Sequence, residues 1–278
     1  MANHLPIEKK ALILSLLTEG QSIRATSRIT GVDQNTIMSL LVKAGDKARD
    51  LHDTMMQNLQ CKFVQVDEIW AYVGCKEKRV RPNEERERGD FYTFIAVDAQ
   101  TKLVPCYRVS KRDGRTAASF MMELSVRVPS RFQLSTDSFA AYENAVDRVF
   151  GADIDYAQIH KEYGAPVDGQ KRYSPAHIIR VTKKAISGEP RTKHICTSHV
   201  ERQNLTVRMQ SRRFTRLTNA FSKKVCNLEA AVDLHFFMYN FLRIHKTLRV
   251  TPAMEAKVTN RLWSWKDLLM WKEEKKAA

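Results

Sequence analysis

Two aspartates stand at the ends of segments predicted as strands, where a negative charge is costly unless a cation meets it. Asp67 follows residues 63–66, and Asp137 follows residues 132–136. A third carboxylate, Glu201, lies in a basic, helix-compatible stretch. Three converging carboxylates can hold two Mg²⁺ ions about 3.5–4 Å apart, which activate a water or a 3′-hydroxyl and stabilise the leaving oxygen of a phosphodiester. The ordinary alternative, a turn, a cap or a surface ion pair, stays open for each of the three.

The helix predicted over residues 198–213 would add basic groups to the same site. Asn204, Arg208 and Arg212 follow Glu201 at i+3, i+7 and i+11, so they share its face. The face that delivers a carboxylate to a metal would thus deliver two guanidinium groups to nearby phosphates.

Three short helices are predicted near the N-terminus, over residues 6–17, 22–30 and 34–43, with a turn at Gly31. Ser22 and Asp33 are favourable N-caps. This pattern is typical of a helix-turn-helix, whose third helix would present side chains to base edges and phosphates. Those side chains are Gln34, Asn35, Thr36, Ser39 and Lys43. A three-helix bundle without DNA contact is the alternative.

The charge of the chain is unevenly distributed. The net charge is +15 at pH 7, which favours nucleic acid or an anionic membrane surface as a partner. Residues 1–60 carry a net +1, whereas residues 161–224 carry fifteen Lys and Arg against four Asp and Glu. A solvated face normally mixes charges of both signs, so this segment predicts binding to a phosphate backbone.

Several other classes of protein find no support in the sequence. The longest apolar runs, residues 11–17 and 236–242, are shorter than the ~20 residues that cross a bilayer. The N-terminus does not have the pattern of a signal peptide. Five scattered cysteines fit a reducing cytoplasm, and neither HExxH nor a glycine-rich phosphate loop occurs.

The elements that must position the carboxylates alternate in type after residue 61. Strands are predicted over 62–66, 91–97, 103–109, 131–136 and 154–159, with helices over 115–126 and 140–150. This order predicts a mixed α/β sheet with flanking helices. We expect a small all-α domain over 1–45, a linker over 46–60, a catalytic domain over 61–250 with a basic insertion at 160–197, and a Trp-rich tail over 251–278. Helical spacing in the tail indicates packing against the body, with a membrane-surface helix as the alternative.

Three blocks of the sequence resemble the bacterial insertion sequence one family of transposases. They are residues 66–74, 136–143 and 198–205, and they contain Asp67, Asp137 and Glu201 in that order. Residues 24–32 with 35–37 resemble the helix-turn-helix of that family, and residues 221–224 resemble its next block. Together the blocks extend over most of residues 20–245.

The resemblance implies a DDE-type enzyme with an RNase H-like catalytic domain behind a helix-turn-helix. Asp67, Asp137 and Glu201 match the catalytic and metal-binding triad, and Arg208 matches a basic residue seven positions after the glutamate. The implied reaction is Mg²⁺-dependent cleavage at the ends of an insertion sequence, followed by attack of the 3′-hydroxyl on target DNA, with Mn²⁺ able to replace Mg²⁺. The implied partners are double-stranded DNA and further copies of the chain in a synaptic complex, in a prokaryotic cytoplasm.

Two features differ from the family pattern. Family members commonly carry a four-cysteine zinc ribbon before the helix-turn-helix, whereas no cysteine precedes Cys61 here. The interval between Asp137 and Glu201 is also longer, because of the basic insertion, which we expect to contact DNA. Two rival functions stay open at this point: a domesticated DNA-binding repressor without catalysis, and an RNase H-type nuclease without strand transfer.

Overall fold

The computed structural model describes residues 5–84, 86–165 and 177–272. Across these residues the chain forms a six-stranded sheet in the order β3-β2-β1-β4-β5-β6. The strands are β1 (Phe63–Val73), β2 (Gly89–Asp98), β3 (Cys106–Ser110), β4 (Gln133–Asp137), β5 (Asp155–Tyr163) and β6 (Ile178–Ser187). The pairs β1–β4 and β4–β5 are parallel, and the other neighbours are antiparallel. The predicted mixed α/β sheet is therefore confirmed.

Helices flank this sheet and precede it. They are α1 (Ile7–Thr18), α2 (Ile23–Thr30), α3 (Gln34–Met55), α4 (Gly114–Arg127), α5 (Ala140–Phe150), α6 (Ser198–Gln210), α7 (Val225–Phe237), α8 (Pro252–Glu255) and α9 (Trp265–Met270). A π-helical turn, Met238–Leu242, extends α7. In the described part of the chain, no helix is both long and apolar enough to span a bilayer.

Strand β1 continues beyond the residue at which the sequence predicted its end. Asp67 lies in the middle of β1, because the inward-facing residues Ile69, Ala71 and Val73 continue the buried face in antiparallel pairing with β2. The parallel pairing with β4, by contrast, runs only from Phe63 to Val66. Asp67 therefore marks the end of the parallel pairing rather than the end of the strand.

Helix α3 runs through the residues predicted as a linker. Its second half, to Met55, buries Ala44, Ala48, Leu51 and His52 at helical spacing. Gly45 faces Ala230 of α7 so closely that a Cβ atom on Gly45 would lie 2.5 Å from the Ala230 Cβ. These side chains carry a weak apolar signal, which is why the predicted helix ended at residue 43, although α3 continues to Met55 within the predicted linker of residues 46–60. The N-terminal helices accordingly share one core with the sheet, in which Leu14 and Leu41 pack with residues of β1 and β2.

A β-hairpin formed by β5 and β6 extends into the predicted basic insertion, which contains the end of β5 and all of β6. Strands β5 and β6 pair antiparallel, from Tyr156 with Ser187 to Tyr163 with Ile178. Most of β6 is exposed, including Arg180, Lys183 and Lys184. Residues 166–176 of the insertion, residues 1–4 of the predicted N-terminal domain and residues 273–278 of the tail lie outside the described residues.

The Trp-rich tail packs against the body, as its spacing predicted. Trp263, Trp265 and Leu268 are buried in the main core. The Trp265 ring lies 5.4 Å from that of Phe237 at the end of α7, centroid to centroid. The tail therefore stabilises the side of the molecule formed by α1, α3 and α7.

Candidate active site

The register of the central strands brings Asp67 and Asp137 side by side. Val66 pairs with Thr136, and each aspartate is the next residue on its strand. Carboxylate oxygens of Asp67, Glu68 and Asp137 all lie within 4.8 Å of one another, so the group could hold a metal ion. Two backbone amides help to fix the aspartates: the Glu68 amide donates to Asp67 Oδ1 (2.8 Å), and the Phe139 amide donates to Asp137 Oδ1 (3.0 Å).

Helix α6 is attached to the same strand and brings Glu201 to the site. Gln65 is two residues before Asp67 and so lies on the same face of β1. Its Oε1 accepts hydrogen bonds from the amides of His199 and Val200 in the first turn of α6 (2.8 and 3.3 Å). One turn later, Asn204 Nδ2 donates to Asp67 Oδ2 (2.8 Å). These contacts align α6 along β1 on either side of Glu201.

The three predicted carboxylates line one cavity, which has a volume of about 580 Å³. Asp67 comes from β1, Asp137 from β4 and Glu201 from α6. The remaining described lining comes from the β3–α4 connection, the start of α5, the outer part of β5 and the residue before α6. Residues far apart in the sequence thus contribute to one acidic site.

Two cationic side chains lie against these carboxylates. The Arg112 guanidinium is 3.6 Å from Glu68 Oε2 and 3.8 Å from Asp137 Oδ2, and it stacks on the Phe139 ring at 3.8 Å. Lys161 of β5 forms an ion pair with Glu201, which also accepts a hydrogen bond from Thr197 Oγ1. The described cavity is therefore a network of ion pairs rather than a set of free acids.

Burial changes the acidity of the two carboxylates on β1. It raises the pKa of Asp67 to about 7, and the negative charge of Asp137 adds to this rise. Burial also raises the pKa of Glu68 to about 7, again with a contribution from Asp137. A raised pKa means that the site disfavours a further negative charge. A bound cation would relieve that cost.

The donor set fits a hard divalent cation. Carboxylate oxygens are the donors that Mg²⁺ and Mn²⁺ prefer, and neither histidine nor cysteine belongs to the group of Asp67, Glu68 and Asp137. The Glu68 side chain is only 3 % exposed, and its Oε1 accepts no hydrogen bond of ordinary geometry among the described residues, although the nearby Tyr142 hydroxyl lowers the Glu68 pKa. A buried carboxylate oxygen without a partner is costly, and coordination to a cation would satisfy it.

Three of the residues around the cavity were missed in the sequence analysis. Nothing in the sequence marked Glu68 as a site residue, because it is adjacent to Asp67 and neighbouring residues of a strand normally point to opposite faces. Arg112 and Lys161 come from a connection and a strand that only the fold brings to the carboxylates. The run of basic residues that begins at Lys161 was the one available hint, and it identified no individual partner.

The three DNA-contacting residues predicted after Glu201 differ in exposure and in the element on which they lie. Asn204 is buried and donates to Asp67, so its side chain orients a carboxylate instead of facing DNA. Arg208 is half-buried; burial and the nearby charge of Arg216 lower its pKa, whereas the charge of Asp67 raises it. Arg212 does not share the face of Glu201, because α6 ends at Gln210 and Arg212 begins a 3₁₀ turn.

Arg212 instead lines a groove with the N-terminal helices. The groove has a volume of about 950 Å³ and is lined by the end of α1, by α2 and α3, by residues 210–223 and by one side of α7. Gln34 and Asn35 of α3 line it, together with Arg24 of α2. Thr36, Ser39 and Lys43 are exposed on α3, as predicted, but do not line the groove.

The chain matches no model of a known protein family, and no curated protein matches it in sequence. Similar solved structures include the simian T-cell lymphotropic virus intasome in complex with the PP2A regulatory subunit B56 gamma (12% identity, TM-score 0.36, 90% of this chain and 74% of that chain). They also include the piggyBac transposase synaptic complex with hairpin DNA (9%, TM-score 0.41, 95% and 68%). A third is the Mos1 transposase paired-end complex with the left transposon end (12%, TM-score 0.21, 53% and 58%). Each of these TM-scores is below 0.5.

Proposed function

We propose that this protein is a DDE-type DNA transposase with an RNase H-like catalytic fold, related to the insertion sequence one family. Its reaction is metal-dependent cleavage at the ends of an insertion sequence and transfer of the 3′-hydroxyl strand into target DNA. One observation carries the proposal: Asp67, Asp137 and Glu201, which the sequence blocks marked as a triad, line one cavity from three different elements.

In this proposal Asp67, Asp137 and Glu201 hold two Mg²⁺ ions, for which Mn²⁺ can substitute, and Glu68 adds a further carboxylate. When bound, these ions supply positive charge at the phosphate and activate the attacking hydroxyl. Asn204 keeps the Asp67 carboxylate in position. The charge of Asp67 raises the pKa of Arg208, which places the two side chains near each other. The Arg208 guanidinium can therefore bind a non-bridging phosphate oxygen beside the site.

We assign the other DNA contacts to surfaces outside the cavity. We assign sequence recognition to α2 and α3 as a helix-turn-helix, with Gln34, Asn35, Thr36, Ser39 and Lys43 as the contacting residues. Ser22 and Asp33 cap these two helices, and Gly31 ends α2 with a φ of 68°. The groove with Arg24 and Arg212 and the basic β5–β6 hairpin supply contacts to phosphates. As in other DDE enzymes, two or more copies would assemble on paired DNA ends, in association with a prokaryotic nucleoid.

The test is a cleavage and strand-transfer assay on the DNA that flanks the coding sequence, with Mg²⁺, Mn²⁺ or EDTA. We expect end-specific nicks and joined products with either metal, and neither product from Asp137→Asn or Glu201→Gln. Asp113→Asn is the matched control, because Asp113 caps α4 and does not line the cavity.

Two results would contradict the transposase assignment. Metal-dependent nicks without joined products would indicate an RNase H-type nuclease. DNA binding without any cleavage in Mg²⁺ or Mn²⁺ would indicate a DNA-binding repressor that keeps the fold.

A further inference from the structure

The four carboxylates of the active site are partly neutralised by side chains of the protein itself. Asp67, Glu68, Asp137 and Glu201 carry up to four negative charges, and Arg112 and Lys161 contribute two positive charges. Each of these two cations contacts a carboxylate that a metal ion would also need. A metal ion must therefore compete with Arg112 and Lys161.

We propose that Arg112 and Lys161 are exchangeable counter-ions that couple the binding of divalent metal to the binding of DNA. Without DNA they pair with the carboxylates and weaken the binding of metal. With DNA they pair with phosphate oxygens, and the carboxylates become free for metal. This inference rests on the proposed metal-dependent cleavage of DNA.

The balance of charge supports the exchange. Two divalent ions would bring four positive charges, which equals the formal charge of the four carboxylates. Arg112 and Lys161 would then lack an anionic partner at the site, and like-charge repulsion by the metal would favour their transfer to phosphates. The same two side chains thus complement the carboxylates in one state and the DNA in the other.

The positions of the two side chains suit such a transfer. Arg112 lies on the connection between β3 and α4, and its side chain is one-third exposed. Its face rests on Phe139, so its N–H groups can change acceptor while the stacking contact persists. Lys161 lies on the outer part of β5, beyond the last residue paired with β4, and its flexible stem reaches inward to Glu201.

Removal of either cation is therefore expected to favour metal binding in the absence of DNA. The measurement is the Mn²⁺ affinity of the DNA-free protein, from the electron paramagnetic resonance signal of free Mn²⁺. We expect Arg112→Gln and Lys161→Gln to bind Mn²⁺ about 10-fold more tightly than the wild type. Arg115→Gln and Lys246→Gln are matched controls, since they remove the same charge from exposed positions, on α4 and between the π-helical turn and α8, that do not line the cavity.

The reciprocal measurement is the affinity for a 30-bp mixed-sequence duplex, by fluorescence anisotropy in Ca²⁺ or in EDTA. Coupling between two ligands is reciprocal, so Ca²⁺ should tighten DNA binding by about 10-fold in the wild type and by much less in Arg112→Gln and Lys161→Gln. Arg112→Lys and Lys161→Arg keep the charge and should keep most of the coupling.

Two different failures can be told apart. If the wild type binds Mn²⁺ and Asp137→Asn does not, but Arg112→Gln and Lys161→Gln match the wild type in both measurements, the exchange is refuted and the metal site stands. If the wild type binds no Mn²⁺ with or without DNA, the proposed function and the exchange are both refuted.

Discussion

At the scale of residues, the site depends on carboxylates placed where they repel one another. Asp67 and Glu68 are largely buried next to Asp137, and burial raises the pKa of both to about 7. In the metal-free protein, ionisation of these carboxylates lowers the free energy of unfolding above that pH. Binding of a cation would relieve this repulsion. The sequence predicted Asp67, Asp137 and Glu201, because each lies in one of the three sequence blocks that resemble a transposase family. It did not predict Arg112 or Lys161, whose partners are distant in the chain.

The raised pKa of Asp67 leads to a prediction about stability and pH. Between about pH 4 and pH 7 the folded protein keeps a proton on Asp67 that the unfolded chain has released, so this residue lowers stability as the pH rises. Asp67→Asn removes that cost. In EDTA at pH 8 we expect the Tm of the variant to be a few degrees above that of the wild type, because each kcal/mol of added stability raises the Tm by about 2–4 °C. The gain should vanish near pH 4, as thermal unfolding at several pH values would show; an equal gain at all pH values would exclude this cause.

At the scale of elements, the contact between α3 and α7 ties the N-terminal helices to the sheet. The crossing is close because Gly45 faces Ala230. The hydrophobic pattern predicted α3 only as far as residue 43, since alanine, glycine and histidine on its buried face do not stand out in a sequence. It predicted the bounds of α5 correctly, because Tyr142, Ala145 and Val146 form a regular buried face. Tertiary partners, more than local preferences, thus decided where the elements end.

We predict that Gly45→Ala destabilises the protein by about 1–3 kcal/mol, because the added methyl group has no space against Ala230. The free energy of unfolding in urea measures this effect. Gly114→Ala is the matched control: it begins α4 with open space around its Cα, and it should be neutral or slightly stabilising. Ala230→Gly should rescue Gly45→Ala only in part, because the added methyl group would still lie 2.6 Å from the Ala230 Cα; equal free energies of unfolding for Gly45→Ala and Gly114→Ala would show that the crossing is not the cause.

At the scale of the whole molecule, the positive charge lies around and beyond the acidic cavity rather than on the N-terminal helices. Residues 161–224 carry a net charge of +11, and this segment contains part of the β5–β6 hairpin, α6 and the rim of the groove. The hairpin provides both Lys161 at the cavity and exposed basic residues along β6. A DNA duplex that reaches the carboxylates would therefore meet basic residues of the same hairpin.

We expect the hairpin to account for part of the salt dependence of DNA binding. Substitution of Arg180, Lys183 and Lys184 by Gln should lower the slope of log affinity against log salt by about 0.9 for each phosphate that is no longer neutralised. The measurement is fluorescence anisotropy with a 30-bp duplex over a range of NaCl concentrations. The control replaces the exposed lysines Lys9, Lys246 and Lys257 by Gln, with the same change in net charge. Equal slopes for the two triple variants would assign the effect to net charge alone.

The central claim is that these carboxylates hold the metal ions that cleave DNA, and the metal preference of Asp137→Cys tests it most directly. A thiolate binds Mn²⁺ better than it binds Mg²⁺, whereas a carboxylate accepts both. We predict that the wild type cleaves its flanking DNA with either ion, and that Asp137→Cys cleaves it at least about 10-fold faster with Mn²⁺ than with Mg²⁺. A folded Asp137→Cys protein that cleaves with the wild-type ratio of the two rates, or a wild type that cleaves equally well in EDTA, would contradict the claim.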